Sequence, residues 1–344
     1  MHVADFDYEL PPERIAQEPV EPRDSARLLV DRGNDRSPDH HHVHDLPEFL
    51  ADGDLLVVNE SKVIPARLRL RRQTGGSAEV LLLDPLDPER RVWEALVRPA
   101  RKLKPGERLV SAGGVELVEI GERTIAGDTV HVTVLGDGDP LAVLAEHGEM
   151  PLPPYITTPL TRPDRYQTVY ASNPGSAAAP TAGLHFTPEL LARLAERGVG
   201  LAKVELVVGL DTFKPISTDN PADHPMHSER YRVPLETAAQ CREARRVVAV
   251  GTTAVRALES AAALGQSEGR TRMFIYRPYD WQVVDVLMTN FHLPRTTLLM
   301  MIDAFVGPRW RSLYETALAE QYRFLSFGDA MLLDRHLSPA RRQR

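Results

Sequence analysis

A chain of 344 residues that is 42% hydrophobic carries enough apolar mass for at least one sizeable core, and its length points to two domains. A single cysteine, Cys241, excludes an internal disulfide and any zinc site built on paired thiolates, so redox chemistry is not expected. The net charge of -7 supplies no global attraction to polyanions, and nucleic acid would have to be held by local basic patches.

In chain order, the first stretch, MHVADFDYELPPER, is acidic and has no apolar signal core, and nothing after it approaches the roughly 18 uninterrupted apolar residues that span a bilayer. The expectation is a soluble, cytoplasmic protein with no membrane partner. The run HHVH at His41 to His44, with His40 before it, invites a metal reading. Metal ions need ligands converging from fixed positions, and no carboxylate or cysteine motif accompanies this run, so it is read as a surface segment and no metal site is expected. DLLVVNES, from Asp54 to Ser61, reads as a strand entering a polar turn.

The texture changes between 66 and 149. Short β-type runs (SAEVLLL, RVWEALV, VELVEI, TVHVTVL) are separated by turn signals at Gly75-Gly76, Pro105-Gly106, Gly113-Gly114 and Gly136-Asp137-Gly138, the pattern of a small β-barrel. Basic residues gather at Arg67, Arg69, Arg71 and Arg72, around Pro99 at Arg98, Arg101, Lys102 and Lys104, and at Arg341, Arg342 and Arg344. Each cluster alone reads as a solvated face or a tail, and only convergence on one surface would make a polyanion site.

The flanks of this segment alternate strands with amphipathic helices: PELLARLAERG, LAKVELVVG, ETAAQCREARR, VVAVG and TAVRALESAAALG. That is α/β texture with its strands in one sheet, so the expected architecture is an α/β domain formed by 1–65 and 150–344 carrying an inserted β-barrel at 66–149. In AAPTAGLHFTPELL, Pro180 and Gly183 shape a turn, His185 follows, and Thr187 with Pro188 starts a helix. HPMHSERY places His227, Ser228 and Glu229 in a loop. In VVAVGTTAVRALES a buried strand passes through Gly251 into a helix that Thr252 or Thr253 can cap, with Arg256 and Glu259 on its first turns; such a strand end exposes N–H groups at the carboxyl edge of a sheet, where ligands of open α/β folds bind. In TNFHLPRTTLLMMIDAF, Pro294 ends the extended segment and Thr296 or Thr297 caps a core helix, which leaves Asn290 and His292 in a loop at the sheet edge.

The blocks AAPTAGLHFT, MHSE, GTTAVRALES, TNFHLPRTTLLM and YRFLSFGDAMLL, with FDYELPPERIAQEP, RDSARLLV and GDLLVVNESKVIPARL near the start, resemble the S-adenosylmethionine:tRNA ribosyltransferase-isomerase family of queuosine biosynthesis, in the same order from Phe6 to Leu333. The resemblance implies an α/β domain with an inserted barrel; a monomer is expected. It also implies transfer of the ribosyl part of S-adenosylmethionine to the aminomethyl group of 7-aminomethyl-7-deazaguanine in tRNA. Isomerisation to an epoxycyclopentane and loss of adenine and methionine complete that reaction, with S-adenosylmethionine as substrate and no separate cofactor. Such chemistry needs two acid-base groups, because the sulfonium acidifies the adjacent sugar carbon and adenine must be protonated as it leaves. His185, His227, Glu229 and His292 are the candidates by position, with Asp211 added below, and the roles of base and acid stay open among them. Thr181, Gly183, Thr252, Thr253, Arg256, Tyr276 and Asn290 are the expected binding groups.

The chain departs from the family pattern at three places. His-Val-Gly-Leu-Gly-Thr-Phe becomes Val207-Val208-Gly209-Leu210-Asp211-Thr212-Phe213, Tyr-Pro-Gly becomes Tyr276-Arg277-Pro278-Tyr279, and a basic pair after PLPPYI becomes Thr157-Thr158. Strand alternation puts Val207 and Asp211 on one side, so a lost imidazole and a gained carboxylate read as one linked change in the pocket. Two alternatives therefore accompany the tRNA enzyme: a divergent enzyme passing the sugar to a small-molecule acceptor, and a non-catalytic relative that binds tRNA or a nucleoside.

Overall fold

The computed structural model describes residues 2–33, 36–124, 127–209, 216, 218–224, 226 and 228–335. The chain begins with β1 (Arg27–Asp31), β2 (Asp39–His42), β3 (Asp54–Asn59) and a short β4 (Ser61–Val63). It then makes β5 (Arg67–Arg72), β6 (Ser77–Pro85), β7 (Val92–Arg98), β8 (Arg108–Val110), β9 (Glu116–Arg123) and β10 (Val130–Val134), which close into a barrel. After α1 (Pro140–His147) come β11 (Asn173–Ser176), α2 (Pro188–Glu196), β12 (Gly200–Leu206), β13 (Glu229–Arg232), α3 (Leu235–Glu243), β14 (Arg246–Val250) and α4 (Gly251–Leu264). The last elements are β15 (Glu268–Thr271), β16 (Val286–Asn290), α5 (Thr297–Val306), α6 (Trp310–Ala319) and β17 (Ala330–Asp334). The architecture is thus an α/β domain with an inserted β-barrel, and strands from both ends of the chain share one nine-stranded sheet in the order β15-β13-β12-β3-β14-β16-β17-β1-β2.

At its centre β12, β3, β14 and β16 run parallel. Parallel strands are covered on both faces, which is why β3 and β14 read as unbroken apolar runs rather than alternating ones. Leu55, Val57, Val247, Ala249 and Leu287 pack on one face with α4, α5 and α6, while Leu56, Val58, Val248, Val250 and Met288 pack on the other with α2. The amino-terminal edge is closed by Asp54, whose carboxylate takes Arg246 Nη2 at 2.6 Å and Arg245 Nη2 at 3.0 Å. At the carboxyl end of β3, buried Asn59 accepts from the backbone N–H groups of Ser61 and Leu206, each at 3.1 Å, and locks β3 to β12. The polar turn expected after DLLVVN is therefore a structural clamp.

In the barrel the period of two is plain: in β5, Leu68 and Leu70 point into the core around Trp93, while Arg69 and Arg71 point out. Two of the four β5 arginines are matched by carboxylates, Arg69 by Glu149 at 2.8 Å and Arg72 by Glu107 at 2.6 Å. The charge cluster on β5 is therefore half paired. Among the described residues, an ion pair crosses between the barrel and the sheet domain, Arg270 on β15 with Asp84 on β6 at 2.6 Å. The histidine run forms edge strand β2 and the turn after it; ligand atoms of His42, His44 and Asp45 lie within 4.8 Å of one another. No helix of the described residues is long and apolar enough to cross a membrane.

Candidate active site

A cleft open to solvent lies at the carboxyl edge of the parallel strands. Its walls come from the first turn of α4, from the end of β16 and the loop after it, from the 179–182 turn, and from Tyr155, Leu325 and Ser326. β14 passes straight into α4 through Gly251, whose φ of +83° only glycine takes up without strain. Because the helix starts there, Val250 holds the cap position with no side-chain bond. Thr252 and Thr253 are not caps, as expected from the sequence, but first-turn residues lining the cleft. The Thr253 hydroxyl is buried with no hydrogen-bond partner among the described residues. Unpaired hydroxyl and first-turn N–H groups at a helix N-terminus suit a polar or anionic ligand group.

On the opposite wall Asn290 is the last residue of β16, one step inside the strand rather than in the loop. It accepts from the Thr181 hydroxyl at 3.0 Å, and its amide nitrogen meets His185 Nε2 at 3.2 Å and the Asp329 carbonyl at 3.4 Å. A carbonyl only accepts, which fixes the amide orientation and makes His185 Nε2 the acceptor of the Asn290 N–H. His185 is 5% exposed, stands behind Asn290 and does not line the cleft. Burial pulls its pKa down to about 4, with Arg323 and Arg23 pushing the same way and a backbone hydrogen bond at Arg23 opposing.

His292 does line the cleft. Its Nε2 lies 3.1 Å from Thr289 Oγ1, its N–H donates to Tyr314 Oη at 3.0 Å, and its carbonyl accepts from Tyr8 Oη. Burial alone lowers its pKa to about 3, so the ring is neutral at pH 7. Thr296 caps α5 through Leu299 N–H at 3.4 Å, and Thr187 caps α2 through Leu190 N–H at 3.0 Å, as their positions before apolar runs imply.

The remaining candidates are distributed differently. Glu229 and Arg256 form a buried ion pair in a second cleft that shares Leu298 with the first. Gly183 is a packing residue: a Cβ there would come within 2.0 Å of the Tyr170 hydroxyl. Tyr276 lies outside both clefts with its ring 5.0 Å from Phe274. Glu259, expected near the site, is fully buried and accepts from the N–H groups of Gln282, Val283 and Val284, each at 3.0 Å, so it braces the loop before β16. His227 and Asp211 lie outside the described residues, and with Asp211 the proposed parity with Val207. Sequence reasoning missed Tyr155, Thr289 and Ser326. Tyr155 and Ser326 share a 2.6 Å hydroxyl contact on the cleft wall, and burial pushes the Tyr155 phenol up to about 12. Thr289 sits directly before Asn290 in the same motif, a signal available in the letters.

The whole chain has relatives. A family model described as "Queuosine biosynthesis protein" matches residues 3–333. A Thermus thermophilus protein called S-adenosylmethionine:tRNA ribosyltransferase-isomerase is 54% identical over 343 residues, covering 95% of this chain and 98% of its own. One of the same name from Symbiobacterium thermophilum is 50% identical, covering 97% and 100%. The crystal structure of a Thermotoga maritima S-adenosylmethionine tRNA ribosyltransferase superposes with a TM-score of 0.54 at 40% identity, covering 95% of this chain and 99% of that one. The chain therefore belongs to the queuosine biosynthesis protein family and is an enzyme of the kind its relatives are named for, a ribosyltransferase-isomerase.

Proposed function

We propose that this enzyme transfers and isomerises the ribosyl moiety of S-adenosylmethionine onto the aminomethyl group of 7-aminomethyl-7-deazaguanine in tRNA, giving epoxyqueuosine with release of adenine and methionine. The relatives' names supply the two substrates. The observation that carries the chemistry is a neutral imidazole, His292, on the wall of a cleft at the carboxyl edge of the sheet, among hydroxyl, amide and helix N-terminal N–H groups.

A base must take a proton from the sugar carbon that the sulfonium acidifies, and an imidazole can do so only in its unprotonated form. His292 is held in that form and its ring is fixed by Thr289. The Tyr155 phenol stays protonated at working pH and is the donor available to the departing adenine. His185 acts through Asn290 as a positioning residue, and Asn290 and Thr181 orient the sugar hydroxyls. S-adenosylmethionine is the substrate, with no separate cofactor invoked in this scheme.

The test follows the sugar. With S-adenosylmethionine labelled in its ribosyl carbons and tRNA carrying 7-aminomethyl-7-deazaguanine, label should enter the tRNA in step with adenine release. Adenine release with all label left in small molecules would reject the tRNA as acceptor.

A further inference from the structure

Beside the catalytic cleft, the second cleft holds a group that the scheme above leaves unused. Arg256 is 7% exposed. Its Nη1 donates to Glu229 and its Nε donates to the Met273 carbonyl at 3.2 Å, yet its Nη2 is buried with no hydrogen-bond partner among the described residues. A guanidinium presents five donors, and leaving the two on Nη2 buried without an acceptor is costly, so such a group is explained by an acceptor that arrives with a ligand. Burial lowers the Arg256 pKa to about 10, which still leaves it charged at pH 7. Around the pair the walls are soft and apolar, with Met226, Met273, Phe274 and Met301. Methionine side chains adapt to flexible aliphatic and sulfur-containing groups.

The two clefts meet at Leu298, and α4 runs along both. Thr252 and Thr253 face the first and Arg256 the second, about 5 Å further along the helix at about 1.5 Å per residue. That separation suits the methylene chain between a sulfonium in the first cleft and an amino-acid head in the second. We infer that the second cleft is the subsite for the amino-acid end of S-adenosylmethionine, with Arg256 Nη2 receiving the α-carboxylate and Glu229 the α-ammonium. The ion pair then serves a zwitterion: it offers one charge of each sign and needs no net charge of its own. This assignment rests on the functional reading above.

The test compares S-adenosylmethionine with its decarboxylated analogue by calorimetric titration of the intact protein. The parent should bind S-adenosylmethionine at least tenfold more tightly. Arg256→Gln should abolish that difference by weakening S-adenosylmethionine alone, with the decarboxylated analogue bound as before. Equal binding of both ligands by the parent would overturn the subsite while leaving the functional reading standing, and it needs no variant to fold. Equal weakening of both ligands in Arg256→Gln would likewise overturn it, since the arginine would then only support the wall. A parent that binds neither ligand would reject the functional reading and the subsite together.

Discussion

Asn290 links the cleft wall to the core behind it, taking the Thr181 hydroxyl on the cleft side and giving its amide to the buried His185. Asn290→Ala strands both partners in a buried place, so it should lower unfolding stability by about 1–3 kcal/mol and slow adenine release by roughly 10²-fold. Denaturant unfolding and an adenine assay on the same preparation check both numbers. His292→Ala should cut adenine release by about 10²–10⁴-fold while unfolding stays cooperative. If cooperativity were lost instead, the ring would be a packing group of the core and not part of the chemistry, since His292 meets Tyr8 and Tyr314 through its backbone, which the substitution keeps. The same two histidines set an acid limit. Their folded pKa values, about 4 for His185 and about 3 for His292, lie below the ordinary value of 6.5, so between pH 6.5 and 4 the unfolded chain binds protons that the folded one refuses. Their contribution is complete above about pH 6.5 and is lost as pH falls, on the order of 3 kcal/mol for each by pH 4. His292→Gln should therefore lose roughly 2–3 kcal/mol less stability than the parent between pH 7 and pH 4.5; equal losses would show that the ring is not held neutral by the fold.

Helix starts and turns decide where those residues stand. Gly183 lets the 181–185 turn lie against Tyr170, whose hydroxyl would be 2.0 Å from an added Cβ and which has no hydrogen-bond partner among the described residues. Gly183→Ala should destabilise by about 1–3 kcal/mol through overpacking, and adding Tyr170→Phe should recover part of that. Tyr170→Phe alone should be close to neutral because no hydrogen bond is lost; no recovery in the double variant would place the strain in the backbone. These elements also show what the letters could carry. The caps at Thr187 and Thr296 were legible, since a threonine before an apolar run has a local partner three residues on. So were the all-apolar strands and the barrel with its turn glycines. The role of Thr252 and Thr253 was not, because whether a helix starts at Gly251 or after it depends on how β14 meets α4 in the sheet. The burial of His185 behind Asn290, the joining of Tyr155 to Ser326 and the pairing of Glu229 with Arg256 are contacts across 105, 171 and 27 residues, which no local pattern records.

Across the whole molecule, the α/β domain closes its amino-terminal edge with Asp54 and the paired arginines and leaves its carboxyl edge open for ligands. The barrel is tied to that domain by the Arg270–Asp84 pair, and two of its four β5 arginines are matched by glutamates, so the basic surface there is smaller than that sequence cluster implies. The altered stretch from Val207 to Phe213 raised a small-molecule acceptor as a competing reading, and the acceptor is where the account is most exposed. The most direct measurement is adenine release from S-adenosylmethionine under four conditions: alone, with free 7-aminomethyl-7-deazaguanine, with tRNA bearing guanine at that position, and with tRNA bearing the aminomethyl base. The account predicts release only in the last. Equal release with the free base, or release that needs no acceptor at all, would contradict it.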